Sequence, residues 1–395
     1  LKKQYDLGDL RRCFGWGDPH QTLATPSCLT IEPISTIIPT FYTKLILKLF
    51  HMVMLEGAES GASNAKKQAW QSALADLVTD PKELIDLLEL DQSLLHSARE
   101  AAQLFPLKVP RHFLRLIEKR NPNDPLLKQI LPLGVEAEQT ATYTEDPLKE
   151  KNANPVAGLI QKYPGRVLVT LTSACAVHCR YCFRRHFPYA ENNPGTRGWE
   201  QLLDYIRSDQ SISEVILSGG DPLAVSDKLL QLFTEKLTKV THITRLRIHT
   251  RIPIYLPQRI TPELIDWIRS LRFAVVMVIH VNHPREIALD VLHALQVLRS
   301  AGVMLLNQSV LLQGVNDDVV TLATLSEKLF DAGVLPYYLH TLDKVQGAAH
   351  FDLPRSRALS LHAELQKRLP GYLVPRLACE EPGELSKTLL YGSMA

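Results

Sequence analysis

The sequence predicts an α/β fold, a parallel sheet covered by helices with a helical module ahead of it. Three observations lead there. First, six short apolar runs recur through the second half of the chain: Val167–Thr172, Glu214–Leu217, Arg245–His249, Ala274–Val281, Val303–Leu312 and Leu335–Leu339. Second, their apolarity is continuous rather than alternating, as expected of strands buried on both faces. Third, the stretches between them carry helix punctuation. Thr261-Pro262 caps and starts one helix, while Ala301-Gly302 and Ala332-Gly333 end two others just before the fifth and sixth runs. Six strand-helix units are fewer than the eight of a closed TIM barrel.

Ahead of the sheet the pattern is helical. Trp70, Ala73, Leu74, Leu77 and Val78 recur at the steps of one buried helix face. Asp80-Pro81-Lys82-Glu83 supplies an N-cap, a proline at the first helical position and a glutamate at the third, opening a second helix through Leu84, Leu87 and Leu88. A third helical run is expected from Pro110 to Lys119, ended by Asn121-Pro-Asn-Asp-Pro125. The organisation that follows is a helical module over residues 60–135, a barrel core over 155–345 and a C-terminal segment over 346–395. Residues 1–51 read differently, being turn-rich and polar up to the patch Thr43–Phe50, which Lys44 and Lys48 interrupt. That patch is too short to span a bilayer and sits too far in for a signal peptide. Periodic sequence begins only after Met52 and Met54, so residues 1–51 are expected to be a non-native or disordered upstream extension.

Composition narrows the function classes. Apolar residues at 45% and charged residues at 22% are those of an ordinary soluble globular chain. Lys plus Arg number 44 against 42 Asp plus Glu, and no long basic run offers a footprint for nucleic acid. Neither nucleic acid nor a membrane is expected as a partner. Six cysteines, three of them in one tight cluster, do not form the spread framework of a secreted disulfide protein and suit a reducing cytoplasm.

The tight cluster is Cys175-Ala-Val-His-Cys-Arg-Tyr-Cys182, following the first apolar run. Three thiols at spacing C-x3-C-x2-C can hold three irons of a 4Fe-4S cluster and leave the fourth open to a small molecule, whereas an electron-carrying cluster takes four cysteines. Zinc is the alternative, although it takes four ligands when structural and places its thiols in C-x2-4-C pairs. His178 within the loop is expected to face solvent. The second run ends in Ser218-Gly219-Gly220-Asp221-Pro222, where paired glycines permit a backbone approach that side chains would block. Taken alone, that is also a tight turn.

The cysteine motif placed just after a strand resembles the radical S-adenosylmethionine enzymes, whose barrels are open (βα)6 structures. Within them, the chain resembles the lysine 2,3-aminomutases over roughly residues 70–390, and most of all the branch serving elongation factor P. The matching segments are Asn121–Leu126, Tyr163–Val167, Cys179–Tyr189, Leu306–Leu312 and Asp343–Gly347. The resemblance implies a 4Fe-4S cluster on Cys175, Cys179 and Cys182, with S-adenosylmethionine on its open iron and against Ser218, Gly219, Gly220 and Asp221. It also implies pyridoxal 5'-phosphate bound through Lys387, the substrate carboxylate on Arg184, and the distal ammonium of lysine on Asp343 and Glu380. Read from the residues alone, Lys387 is a surface lysine and the two acids are solvated carboxylates. Glu384, Leu385 and Ser386 stand where the classical enzymes have glycines, and Glu380 is one methylene longer than their aspartate. The implied activity converts (S)-alpha-lysine to (R)-beta-lysine. The implied partners are an electron donor such as flavodoxin or ferredoxin and an elongation factor P lysyl ligase. An aminomutase of another amino acid such as glutamate, and a non-catalytic iron-sulfur electron-transfer protein, are the alternatives.

Overall fold

All six expected strands form, and they lie side by side in chain order. They are β1 (Arg166–Thr172), β2 (Glu214–Gly219), β3 (Arg245–Thr250), β4 (Ala274–Ile279), β5 (Met304–Val310) and β6 (Leu335–His340), each parallel to the next. The computed structural model describes residues 62–391, and the stretch 1–51 expected to be an upstream extension lies outside the described residues. A seventh parallel strand, β7 (Arg376–Cys379), adds beyond β6 and was not among the six expected, because four residues opening on Arg376 carry too little apolar signal. Two-residue strands, Leu159–Ile160 and Thr388–Leu389, run antiparallel along the outer edges of β1 and β7. Among the described residues these edges do not pair with each other, so the curved sheet stays open.

The strands are flanked by helices α4 (Gly195–Ser208), α5 (Asp227–Thr238), α6 (Pro262–Ser270), α7 (Leu289–Ser300), α8 (Val319–Asp331) and α9 (Arg355–Arg368). Their apolar faces meet one face of the sheet. Val215 and Leu217 of β2, Leu246 and Ile248 of β3, and Trp199 and Phe233 from α4 and α5 share one buried core. The alternate residues do something else: Ser218, His249, Gln308 and His340 line a cavity. The sequence reading of strands apolar on both faces is therefore corrected, since the inner face carries the polar residues of a site. Loops at the carboxyl ends of parallel strands converge at one mouth, and the chemistry gathers there.

The N-terminal module packs into the same core through Trp70, Val78, Leu84 and Phe113. Its helices are α1 (Ala62–Ala75), α2 (Pro81–Leu87) and α3 (Leu94–Leu104). Asp80 caps α2 as expected, accepting from the Lys82 N–H at 2.9 Å. Two expectations change. Leu77 and Val78 leave the first helix to pair as a short strand with Val109–Pro110. The run from Pro110 to Lys119 is α-helical only over Arg111–Leu114. It tightens into i to i+3 turns at Leu116 and Ile117, and the buried Asp124 carboxylate takes the Glu118 N–H at 2.9 Å. No helix among the described residues is long and apolar enough to cross a membrane.

Candidate active site

The cysteine loop leaves the end of β1 and is fastened to the N-terminal module. The His178 N–H donates to the Lys108 carbonyl at 3.0 Å, and the Arg180 N–H donates to the Gln129 carbonyl at 2.9 Å. Arg180 is fully buried and forks onto Glu136 at 2.8 and 2.6 Å, while Arg185 donates to the same carboxylate at 2.7 Å. His178 is not solvent-facing as expected: its ring stacks on Phe105 with centroids 4.8 Å apart, and its Nδ1 lies 2.8 Å from the Pro106 carbonyl. The loop is thereby held in shape before any ligand arrives.

Cys175, Cys179 and Cys182 are free thiols that line the cavity together. Among the described residues no three His, Cys, Asp or Glu side chains converge on a point where one metal ion could sit. A cluster takes one thiolate per iron, so its cysteines surround a body rather than a point. Burial pushes the Cys182 thiol up to about 11 and the Cys175 thiol well above its ordinary value. Such thiols need a cation to become thiolates, and cationic iron is suited to that. Opposite them, Gly219 takes a φ of +104°, and a Cβ on Gly220 would lie 2.4 Å from the Ala174 carbonyl oxygen. Only glycine lets β2's end press against the cysteine loop. Asp221 differs from its neighbours, because its carboxylate already accepts from Thr250 Oγ1 at 2.6 Å, the Arg251 N–H at 2.7 Å and the Leu223 N–H at 3.0 Å. It shapes the turn.

A chain of ion pairs links the cysteine loop to the last strands. Arg184 donates through Nε and Nη2 to both oxygens of Glu150 at 2.7 and 2.8 Å, and through Nη1 to Ser218 Oγ at 3.2 Å. Lys162 bridges Glu150 at 3.1 Å and also pairs with Glu380. Lys387 Nζ donates to the other Glu380 oxygen at 2.6 Å. The register explains that last contact. Cys379 pairs with Thr388 in the antiparallel edge ladder, which puts Glu380 directly opposite Lys387.

Burial pushes Asp343 up to about 7, with the charge of Glu380 adding to the effect. Burial opposes the charge on Glu380 too, but Lys387 and Lys162 outweigh it and hold that carboxyl far below its ordinary value. Glu380 is thus ionised at neutral pH, where Asp343 is part protonated. His249, His280 and His340 also line the cavity. Burial drives His280 down to about 3 and the other two well below their ordinary value, so all three are neutral. The Nε2 atoms of His249 and His340 find no hydrogen-bond partner among the described residues, which suits a polar ligand beside them.

One cavity of about 430 Å³ therefore holds every residue expected at the site: the three cysteines, Ser218 to Asp221, Arg184, Asp343, Glu380 and Lys387. A roomier groove of about 620 Å³, lined by residues of α6 and α7, holds none of them. Glu150, Lys162 and Arg251 were missed in the sequence. Glu150 is 1% exposed, and a glutamate three residues beyond Pro147 in a polar connection gives no sign of such burial.

The radical SAM superfamily pattern matches residues 169–325, from β1 to α8. The L-lysine 2,3-aminomutase of Haemophilus influenzae is 48% identical over 82% of this chain and 96% of that protein. The enzyme of the same name from Escherichia coli is 48% identical over 82% of this chain and 95% of its own. That of Clostridium subterminale is 36% identical over 82% of this chain and 78% of its own. Likeness of this extent, on a chain whose thiols and charged groups meet in one cavity, shows that the protein belongs to the L-lysine 2,3-aminomutase family of radical S-adenosylmethionine enzymes.

Proposed function

We propose that this aminomutase converts (S)-alpha-lysine to (R)-beta-lysine with pyridoxal 5'-phosphate on Lys387, and that the product serves modification of elongation factor P. The observation that carries the reading is the meeting of Arg184, Asp343, Glu380 and Lys387 with the three cysteines in a single cavity. When bound, the cluster and S-adenosylmethionine supply one-electron chemistry that takes hydrogen from an unactivated carbon, and pyridoxal phosphate supplies a carbonyl for the migrating nitrogen. The remaining work belongs to the chain. Arg184 is set by Glu150 and Ser218, so its guanidinium meets a carboxylate without reorganising. Asp343 and Glu380 offer two acceptors to a cationic chain end. Lys387 Nζ donates to one oxygen of Glu380, so the amine that would hold pyridoxal phosphate and the acid that would hold the substrate's ammonium stand side by side. Ionised Glu380 repels the side chain of glutamate, and Asp343 adds to this above about pH 7, which disfavours the alternative substrate.

A small one-electron donor such as flavodoxin or ferredoxin, a downstream elongation factor P lysyl ligase and a cytoplasmic setting complete the proposal. The test is anaerobic turnover of lysine and of glutamate by wild type and by Lys387→Ala, with products resolved by chirality. Wild type should yield (R)-beta-lysine from lysine only, and Lys387→Ala should lose at least about 10²-fold in rate. Wild-type turnover by Lys387→Ala, or preference for glutamate, sinks the reading.

A further inference from the structure

Arg251 follows the last residue of β3, and its guanidinium is held on all sides within the protein. Nη1 donates to Cys179 Sγ at 2.8 Å and also contacts the Tyr181 hydroxyl. Nε donates to the His280 carbonyl at 3.2 Å, and Nη2 donates to Glu286 Oε2 at 3.1 Å. The ring of Tyr255 covers the cation at 4.7 Å, and the Arg251 backbone N–H is pinned by Asp221. Held from β3, from the end of β4 and through Asp221 from the end of β2, the guanidinium cannot swing away from the sulfur.

The carboxylate that faces the guanidinium is itself held by other donors. Glu286 is the carboxylate on this guanidinium, but its Oε1 already accepts from the Asn282 N–H at 3.0 Å, the His283 N–H at 2.9 Å and Gln129 Nε2 at 3.1 Å. Its negative charge is thus shared among four donors. A charge-assisted N–H···S bond draws electron density from a thiolate, and hydrogen bonds to the sulfurs are among the features that set a cluster's reduction potential.

We infer that Arg251 is a positioning residue that raises the reduction potential of the cluster, by fixing a positive charge and an N–H donor on the Cys179 sulfur. The inference rests on the cluster reading of the three cysteines. It concerns the ease with which an external donor's electron enters, not the chemistry on lysine.

The test compares wild type, Arg251→Met and Arg251→Lys after anaerobic reconstitution, by iron per chain and by a redox titration followed by electron paramagnetic resonance, without S-adenosylmethionine or lysine. With iron contents matched, Arg251→Met should hold its electron at least tenfold less tightly, a midpoint about 59 mV lower for one electron. Arg251→Lys keeps the charge but not the fork and should fall between the two. An unchanged midpoint in iron-replete Arg251→Met overturns the inference. Should Arg251→Met lose its iron, the midpoint of Arg251→Lys decides: below wild type supports the inference, and equal to it overturns it. A wild-type protein that takes up no cluster is a separate failure, that of the cluster reading itself.

Discussion

Asp343 faces a cavity lined also by Arg184, Glu380 and Lys387, with Glu150 and Lys162 paired to those groups from behind, so its own ionisation decides whether an arriving ammonium meets a second anion. With its carboxyl pushed up to about 7 by burial first and Glu380 second, it is neutral below that pH and anionic above it. The pH profile of kcat/KM reports groups of the free enzyme. For lysine it should therefore rise with pH through about 7, by up to roughly tenfold per unit on the acid side. Asp343→Asn should be weaker and should lose this limb; an unaltered profile in that variant excludes Asp343 as the group responsible. Arg184→Lys tests the other end. An ammonium cannot fork onto Glu150 and still present Nη1, and a hydrogen bond to a charged group contributes about 1.5–3 kcal/mol, so KM for lysine should rise roughly 10- to 100-fold. At this scale the sequence was legible where residues sit next to a motif, as Arg184 does beside Cys182. It was not legible for Glu150, Lys162 or Arg251, whose partners Arg184, Glu380 and Cys179 come from distant elements. No local pattern announces a contact made only by folding.

Elements carry the next level of specification. The cysteine loop keeps its shape because Glu136, in the turn Gly134–Ala137 that closes the module, grips Arg180 and Arg185, on the loop. Removing one partner of a buried ion pair costs about 3–5 kcal/mol, since the charges left behind stay desolvated. Glu136→Gln should lower the urea unfolding free energy by that order and speed iron loss to a chelator. A change under about 1 kcal/mol would mean that the loop does not depend on the clasp. Gly220→Ala addresses the facing turn: its Cβ would collide with the Ala174 carbonyl, and overpacking of this kind costs about 1–3 kcal/mol. Iron retention should fall with it, and full iron content in the alanine variant would show that the turn gives way elsewhere. The strands were legible because β1 to β6 are apolar runs bounded by glycine and capped helices, Thr261 accepting from the Leu264 N–H as its sequence implies. The short helix Arg111–Leu114 was overread, because a tertiary acceptor, Asp124, competes for the backbone N–H that would have continued it.

At the scale of the whole molecule, the order of strands separates the two halves of the chemistry. The cysteines follow β1, near one end of the sheet, whereas Glu380 and Lys387 flank β7 and its partner strand at the other. Curvature of the open sheet brings both ends to one cavity, although more than 200 residues part Cys182 from Lys387 along the chain. The two groups are anchored separately: the cysteine loop by Glu136 in the turn that follows the module, and the Lys387 hairpin by a second apolar cluster that includes Leu339, Leu361, Leu377 and Leu390. Sites held by separate apolar and ionic anchors act nearly additively in mutants, and the ion pairs through Lys162 are a weak link between these two. The two cofactors should therefore load independently. Cys175→Ala should lose its iron and keep the absorbance of a pyridoxal group joined to lysine, while Lys387→Ala should lose that absorbance and keep wild-type iron. Both variants are read in the same two measurements, so a defect in folding would show as loss of both signals. Should Lys387→Ala fold normally yet take up no iron, the cluster and the lysine hairpin are coupled through the cavity, and the bridge to examine is the chain Arg184, Glu150, Lys162 and Glu380 that runs between them.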